Sequence, residues 1–329
     1  PLTKNAKLIM GTDEESGSED IAHYYANHPF APYALSPDAD FPVTNIEKAH
    51  YSPRFSASWE KTVSPGVRVL ALDGGIRVNV APANCTCLVE NADRTQLEAV
   101  LKRVSGETGV SLTAVYEGNT AKITAVGVQA HASTPDEGKN AITATLQALC
   151  ALPLAQGAAE KTVQQLHEIF PYGDNRGKAL GIAMEDAVSG CLTLTFSMVH
   201  LDSSGFWGIF DSRDPLCATE ENTCHVTEAK MAAFGWECKG SLRPAHAVDG
   251  ESDFIKVLLN AYETYTGRKG YCEAIGGGTY VHEIPGGVAF GAGEHDFDSH
   301  LHGANERARI SQLLKTAMIY ALVISKLCA

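Results

Sequence analysis

The spacing of apolar residues along the chain predicts several helices with one buried face. Apolar residues recur three and four positions apart in five segments, which is the period of an amphipathic helix. In three of these segments a capping residue is predicted at the start, namely Ser18, Asp93 and Ser252. The predicted helices begin at Ser18 (with Ile21 and Tyr24), at Asp93 (with Leu97 and Val104), near Asn140 (with Ile142 and Leu149), at Ser252 (with Phe254 and Leu258), and near Ile310 (with Leu314 and Ala321).

Short apolar runs and alternating stretches predict strands between these helices. Residues 7–10 form an apolar run that predicts a buried strand ending in a loop. Val67, Val69 and Ala71 lead into Gly74-Gly75, which predicts a hairpin whose second strand carries Val78 and Val80. Further strands are predicted at residues 112–115, 123–126, 192–196 and 206–210.

The order of these elements predicts an α/β protein of two domains. A strand-loop-helix unit opens the chain, and helix and loop return in its last part. The middle alternates strands and helices in the way of an α+β domain with an antiparallel sheet. We therefore expect a discontinuous α/β domain built from residues 1–50 and 246–329, with residues 51–245 inserted as a second domain.

Composition narrows the class of protein. The chain has 329 residues, with 39 acidic and 26 basic side chains and a net charge of −13, which disfavours nucleic-acid binding. It has no uninterrupted apolar run of the roughly 20 residues that a membrane span needs. Its nine cysteines lack paired C-x-x-C spacing and its first residues lack the apolar core of a signal peptide, so a cytoplasmic enzyme with reduced thiols is expected.

Several segments carry residues that could do chemistry, although each has an ordinary structural explanation. Adjacent carboxylates repel one another unless a cation holds them, yet an acidic loop at the surface would also explain a pair. A turn rich in proline and aspartate, a histidine pair, a glycine cluster or a lone histidine needs no function. The segments are Asp13-Glu14-Glu15, Asp38 and Asp40, His300 and His302, Gly276 to Gly278, and His131.

Taken in order, these segments resemble one family. The matching motifs are Gly11-Thr12-Asp13-Glu14-Glu15-Ser16-Gly17, Pro37-Asp38-Ala39-Asp40-Phe41-Pro42, His131-Ala132-Ser133, Gly277-Gly278-Thr279-Tyr280 and His302-Gly303-Ala304-Asn305-Glu306. The chain resembles the co-catalytic zinc metallopeptidases that include aminoacylase, carnosinase and succinyl-diaminopimelate desuccinylase. It is most similar to bacterial dipeptidases of the PepV type. The resemblance implies a three-layer catalytic domain with an inserted lid.

The resemblance also implies a site with two divalent metals, most often zinc, with manganese or cobalt as alternatives. Glu14 matches the general base and Glu15 a metal ligand. Asp38 matches a ligand of the other metal, with Asp40 as a less favoured substitute. His302, rather than His300, matches the last ligand. Carboxylate and imidazole ligands suit such ions.

The inserted domain resembles the lid of these enzymes. His131 matches a residue that polarises the scissile carbonyl, and Asn79 and Arg213 match residues that hold the substrate's C-terminal carboxylate. Gly277 and Gly278 match a segment close to the substrate. A surface ion pair of Arg213 with Asp211 or Asp214 remains an alternative interpretation.

One departure from the family qualifies these expectations. The family takes a histidine and a metal-bridging aspartate from a segment before the Glu-Glu pair, whereas residues 1–13 contain no histidine and only one aspartate. We therefore expect the chain to be part of a longer enzyme and to be nearly inactive alone. The expected reaction is dipeptide hydrolysis by a monomer or homodimer. The alternatives are a deacylase or desuccinylase of N-acyl amino acids and a metal-free binding module.

Overall fold

The computed structural model describes residues 2–14, 17–60, 65–300 and 305–329. Helices and strands are numbered here in chain order over these described residues. The helices are α1 (Glu19–Asn27), α2 (Arg94–Thr108), α3 (Ala141–Cys150), α4 (Ala158–Ile169), α5 (His225–Phe234), α6 (Asp253–Thr266) and α7 (Ile310–Leu327). The strands are β1 (Ala34–Ser36), β2 (Ala39–Asp40), β3 (Val43–Glu47), β4 (Ala49–Tyr51), β5 (Arg54–Ser58), β6 (Arg68–Gly74), β7 (Val80–Ala81), β8 (Asn84–Glu90), β9 (Ser111–Glu117), β10 (Thr120–Val126), β11 (Ala130–His131), β12 (Glu185–Asp186), β13 (Gly190–Cys191), β14 (Thr193–Leu201), β15 (Gly205–Asp214), β16 (Glu237–Lys239), β17 (His246–Ala247), β18 (Cys272–Ile275), β19 (Gly287–Ala289) and β20 (Ala292–Gly293).

The chain forms two compact units. Unit 1 consists of residues 1–48 and 245–329, and unit 2 of residues 49–244. Each unit has its own cluster of buried apolar side chains. Helices and sheets occur in both, so the α/β class is confirmed, and the sheet of the middle segment is antiparallel as expected.

Unit 2 is built on a nine-stranded sheet in the order β16-β5-β15-β14-β6-β8-β10-β9, with β4 also paired to β15. Alternate residues of β8 are buried, as the two-residue repeat of a strand with one covered face requires. Both Cys85 and Cys87 are therefore core residues. The stripe of α2 that begins at Leu97 is buried in the same core.

Aromatic side chains fill the other half of the unit 2 core. Phe55 of β5 is fully buried, and its ring centroid lies 5.9 Å from that of Trp236 and 6.0 Å from that of Phe196. Phe170, which follows α4, stacks on Phe196 at 4.5 Å. Because buried aromatic rings contribute large apolar areas, this stack fixes how α4 lies on the sheet.

A glycine allows a short excursion from this sheet. After β6 the chain turns at Gly75, which has a positive φ of 79°. A Cβ atom built there would lie only 1.8 Å from the carbonyl oxygen of Ser197, so only glycine fits. The excursion forms β7, which pairs with β11 away from the main sheet.

Unit 1 is organised around β3, whose five residues are all buried. β18 runs parallel to β3, while β19 and β17 run antiparallel to it, and β1 extends the sheet as a parallel partner of β19. The buried face of α6 and the residues Ile319 and Val323 of α7 share one core with Val43 of β3. A strand covered on both faces is typical of α/β sheets.

Three local predictions are wrong. Residues 7–10 pair with no strand among the described residues, and Leu8 and Met10 are exposed, since an apolar run becomes a strand only beside a partner. The second strand of the predicted hairpin is β8 rather than the segment of Val78 and Val80. Ser18 precedes α1, but its side chain accepts no capping hydrogen bond because its backbone is left-handed.

Helix α7 is long and apolar enough to cross a membrane by length and composition alone. Its 18 residues have a mean hydropathy of 1.3, and 22% of them are buried. The buried residues Ile319 and Val323 pack in the unit 1 core, and core helices of globular proteins pass the same test. The expectation that the protein does not bind membranes stays a prediction.

We predict that two helix caps differ in their contribution to unit 2. The Asn140 side chain accepts hydrogen bonds from the backbone of Ile142 and Thr143 and donates one of 2.8 Å to the carbonyl of Phe196 in β14. Asp93 is exposed and caps α2 by accepting one bond from Gln96. We expect Asn140→Ala to lower the free energy of unfolding by about 2 kcal/mol and Asp93→Ala by about 1 kcal/mol.

Tryptophan fluorescence during denaturant unfolding measures both changes. All three tryptophans of this chain lie in unit 2, so their signal reports that unit. Equal losses for the two variants would show that the bond from Asn140 to β14 adds nothing to the cap.

Candidate active site

The acidic loop before α1 is held by hydrogen bonds to one carboxylate. Asp20 Oδ2 accepts the backbone N–H of Thr12 at 2.7 Å and that of Asp13 at 3.2 Å. The Asp13 carboxylate in turn accepts the backbone N–H of Glu19 at 3.0 Å. Glu14, the predicted general base, directly follows this anchored pair and is half-buried.

Tyr280 joins the acidic loop to the glycine segment. Its hydroxyl donates to Asp20 Oδ2 at 2.9 Å and accepts the Asp13 N–H at 3.1 Å. A Cβ atom at Gly11 would lie 2.1 Å from this hydroxyl, so the close approach needs glycine. Partial desolvation acts to raise the pKa of Asp20, but the hydrogen bonds from Thr12 and Tyr280 outweigh it, so the pKa lies below its ordinary value.

A buried glutamate fixes the other end of the glycine segment. Glu47 of β3 is almost completely buried. One of its oxygens accepts the backbone N–H of Thr279 at 3.0 Å and the Thr279 hydroxyl at 2.8 Å, and the other lies 2.9 Å from Nδ1 of His282. Gly277 and Gly278, which follow β18, are therefore attached to the sheet through Thr279.

Asp38 lies in the connection between β1 and β2. The neighbouring Pro37 carbonyl accepts the N–H of Ala292 at 3.1 Å, and the Ala39 N–H donates to the Gly291 carbonyl at 2.9 Å. The last residue of β1 pairs with Ala289 of β19, which pairs in turn with Thr44 near the start of β3. The last residue of β18 pairs with Glu47 at the end of β3. Asp38 and the glycine segment thus leave the sheet at different levels of β3.

Two of the predicted metal ligands, Glu15 and His302, lie outside the described residues. Among the residues that the structure does describe, no group of three or more histidine, cysteine, aspartate or glutamate side chains could hold a metal ion. The predicted ligand set therefore stays a prediction.

Asp40, the less favoured candidate ligand, takes part in a different cluster. His295 lies between two carboxylates, with Nδ1 3.2 Å from Asp40 Oδ2 and Nε2 3.3 Å from Glu273 Oε2. Burial raises the pKa of Glu273, the adjacent His295 opposes this, and the charge of Asp40 raises it further. The cluster links β2 to β18 and uses Asp40 for an ion pair.

In unit 2 the structure brings Asn79 and His131 together. His131 of β11 is opposite Val80 of β7, and the backbone N–H of Ala132 donates to the Asn79 carbonyl at 2.9 Å. The exposed His131 ring accepts the backbone N–H of Ser133 at Nδ1, 3.2 Å away. Because that backbone N–H can only donate, and the Ser133 hydroxyl 2.6 Å from Nδ1 can donate as well, these contacts favour a neutral ring with its proton on Nε2.

Arg213 of β15 makes the predicted ion pair with Asp211, but this pair is buried rather than at the surface. Its Nε donates to Asp211 Oδ1 at 2.7 Å and its Nη2 to Oδ2 at 3.0 Å. His50 Nε2 lies 2.9 Å from the same Oδ2. Burial alone would raise the pKa of Asp211, but the His50 hydrogen bond and the Arg213 charge hold it below its ordinary value.

A lowered carboxyl pKa has a definite consequence for stability. The contribution of Asp211 to the free energy of unfolding is complete above the pKa of about 4 that the group has in the unfolded chain. It is lost as the pH falls through the lower pKa that the group has in the folded chain. The pair is therefore intact at neutral pH.

Sequence reasoning missed Glu47 in unit 1 and His50 in unit 2, and it gave no positioning role to Tyr280 or Asp211, which it had named. Each of the four has a hydrogen-bond partner more than 150 positions away. Only the aspartate and arginine two positions apart on one strand, which share a face, gave a signal.

Comparisons with known proteins find one family model and several similar proteins. Residues 116–200, from β9 into β14, match the family model described as a peptidase dimerisation domain. The protein named "Putative dipeptidase YtjP" of Bacillus subtilis (strain 168) is 29% identical over 330 residues, which cover 99% of this chain and 70% of that protein. The Beta-Ala-Xaa dipeptidase of Lactobacillus delbrueckii subsp. lactis is 28% identical over 326 residues, covering 98% and 68%. Among solved structures, aminoacylhistidine dipeptidase from Vibrio alginolyticus gives a TM-score of 0.47 at 14% identity, covering 88% of this chain and 64% of that one.

We predict that Tyr280→Phe loosens the acidic loop. The change removes one hydrogen bond that the Asp13 N–H donates and one that Asp20 accepts, at a cost of about 1 kcal/mol each. The backbone amides of Thr12 and Asp13 should then exchange with solvent about five- to tenfold faster. Hydrogen exchange measures this, with Tyr265→Phe as the control because Tyr265 is an exposed tyrosine of the same unit. Unchanged exchange at both amides would show that Tyr280 does not hold the loop.

Proposed function

Because the chain belongs to the M20 family of peptidases, we propose that it hydrolyses the amide bond of dipeptides that have a free C-terminal carboxylate. The observation that carries this proposal is the similarity to dipeptidases along 98–99% of the chain. The carboxylate requirement comes from the family resemblance at Arg213, whose guanidinium is oriented by its two bonds to Asp211; a guanidinium is a suitable partner for a carboxylate.

The family is one of metallopeptidases, and we propose that two divalent metals, zinc first among them, occupy the site. Glu15, Asp38 and His302 would hold them, and two carboxylates with one imidazole are a donor set that fits zinc and also manganese or cobalt. When bound, such ions lower the pKa of water to near 7 and polarise a carbonyl oxygen.

Glu14 is the proposed proton carrier. A carboxylate beside the attacking water accepts its proton and then delivers it to the nitrogen of the leaving amine. The loop that carries Glu14 is fixed by the bonds of Thr12 and Asp13 to Asp20. A base held in this way needs little rearrangement before it acts.

His131 is the proposed donor to the carbonyl oxygen. Its tautomer places the proton on Nε2, because Nδ1 accepts from Ser133. A hydrogen bond from this N–H would grow stronger as negative charge develops on the oxygen, and one such donor contributes about 3 to 4 kcal/mol of barrier lowering.

Arg213 and Asn79 are the proposed partners of the substrate carboxylate, and Gly277 and Gly278 the segment along which its backbone lies. Glycines permit a close approach of two backbones. We further propose a cytoplasmic location, supported by nine cysteines without paired C-x-x-C spacing.

We predict that the protein expressed from its complete reading frame cleaves an unblocked dipeptide and that a chelator abolishes the activity. Added zinc should restore it. Glu14→Gln should lower kcat by about 10²- to 10⁴-fold, the range for loss of a general base. The matched control is Glu19→Gln, an exposed carboxylate in the first turn of α1. Initial rates of amine release measure all of these effects.

Substrate comparison separates the alternatives. Faster cleavage of an N-acetyl or N-succinyl amino acid than of the dipeptide would identify a deacylase or desuccinylase. If the protein binds no metal and cleaves none of these substrates, the interpretation as a binding module replaces the enzymatic one.

We propose that unit 2 also pairs two copies of the chain into a homodimer. The match to a dimerisation domain supports this, and β9 is an edge strand of its sheet, with β10 on one side only. Edge strands present backbone groups to a second chain.

We predict that Val115→Lys in β9 converts the dimer into a monomer, because a lysine on an edge strand opposes pairing. Val115 is 72% exposed, and the control Val188→Lys changes a valine that is 69% exposed elsewhere in unit 2. Light scattering after size-exclusion chromatography measures the mass. A wild-type monomer, or a dimer that survives Val115→Lys, contradicts this assembly.

A further inference from the structure

Asp211 is a fully buried charged residue of unit 2. Its side chain has no exposed surface, and that of Arg213 is 10% exposed. Four hydrogen-bond contacts converge on its two oxygens, from Arg213 Nε (2.7 Å), Arg213 Nη2 (3.0 Å), His50 Nε2 (2.9 Å) and Ser52 Oγ (3.4 Å). A carboxylate so fully partnered can stay ionised despite burial.

Strand geometry explains why these groups meet. Asp211 and Arg213 are two residues apart on β15 and therefore share one face. His50 of β4 is directly opposite Arg213 in the antiparallel ladder. Ser52 follows β4, and its hydroxyl lies 2.7 Å from His50 Nε2. Three neighbouring groups thus hold one carboxylate in place.

This arrangement fixes the orientation of a guanidinium. Two parallel N–H···O bonds from Nε and Nη2 to one carboxylate define the guanidinium plane, which a single bond would not do. A long arginine side chain otherwise loses about 2 kcal/mol of rotamer entropy when a ligand immobilises it. With the plane already set, most of that loss occurs on folding rather than on binding.

We propose that Asp211 is a positioning residue for recognition of the substrate carboxylate, acting through Arg213, with His50 and Ser52 holding Asp211. This inference rests on the proposed function, in which Arg213 binds that carboxylate. A structural ion pair without any role in recognition is the competing explanation. The two explanations predict different activities when Asp211 is changed. A positioning role affects only substrates that have the C-terminal carboxylate, whereas a structural role affects substrates with and without it.

The test compares a dipeptide with its C-terminal amide, using the protein from its complete reading frame. Asp211→Asn should raise KM for the dipeptide by about tenfold or more, the range for loss of a charge-assisted hydrogen bond. Its kcat, and kcat/KM for the amide, should change less than threefold. An ion pair with a purely structural role would lower activity on both substrates to the same extent.

Two further variants provide a control and a milder change. Asp186→Asn removes a carboxylate of the same unit whose oxygens accept from Val188, Ser189 and Cys217, and it should leave the dipeptide-to-amide preference unchanged. Ser52→Ala removes one hydroxyl contact and should raise KM for the dipeptide two- to fivefold. If Asp211→Asn does not fold, the Ser52→Ala variant still tests the proposal.

A measurement without substrate separates this inference from the proposed function. The Nε–H of Arg213, bonded to a buried oxygen, should give a resolved, slowly exchanging NMR signal that Asp211→Asn abolishes and Asp186→Asn retains. If the wild type does not prefer the dipeptide over the amide, the proposed function fails whatever the signal shows. A different result overturns only the role of Asp211. In that case the wild type prefers the dipeptide and Arg213→Gln removes the preference, but Asp211→Asn and Ser52→Ala do not.

Discussion

The hydrogen bonding of carboxylates buried on strands organises both units. A buried carboxylate is destabilising unless its oxygens are partnered. Glu47 on β3 draws in Thr279 and His282, which attaches the glycine segment to the unit 1 sheet. Asp211 on β15 draws in Arg213 and His50. The candidate site residues are therefore fixed by polar contacts that the sheets themselves enclose.

Periodic segments with local end signals were predictable from the sequence, because a helix cap and an apolar stripe lie within a few residues of each other. Asp93 and Ser252 cap their helices as expected, and β9 and β10 coincide with alternating stretches. The strand β3 was not predictable, since Thr44, Asn45 and Glu47 make it look polar. Its burial depends on partners brought by the tertiary fold, such as the carbonyl of Val248, which accepts from Asn45.

The candidate site was predictable as a set of motifs and only partly as a geometry. The family resemblance singled out Asn79 and His131, but their closeness comes from the β7–β11 ladder, which needs Gly75 to leave the sheet. Spacing could also place Asp211 and Arg213 on one face without revealing that their pair is buried. Tyr280 belonged to a matching motif, but its role in holding the acidic loop was not predictable, because its two hydrogen bonds reach residues more than 250 positions away.

These contacts differ in what they contribute to catalysis. A donor or base acts well only when its position before the reaction is close to the one it needs during it. In the proposed function, His131 would meet this through a proton placed by its contacts with Ser133, and Arg213 through a plane set by Asp211. In both, the entropy of ordering the side chain is lost on folding. If Arg213 binds substrate as proposed, the stability of unit 2 and the strength of substrate binding are linked, since Asp211, which orients Arg213, is itself fully buried.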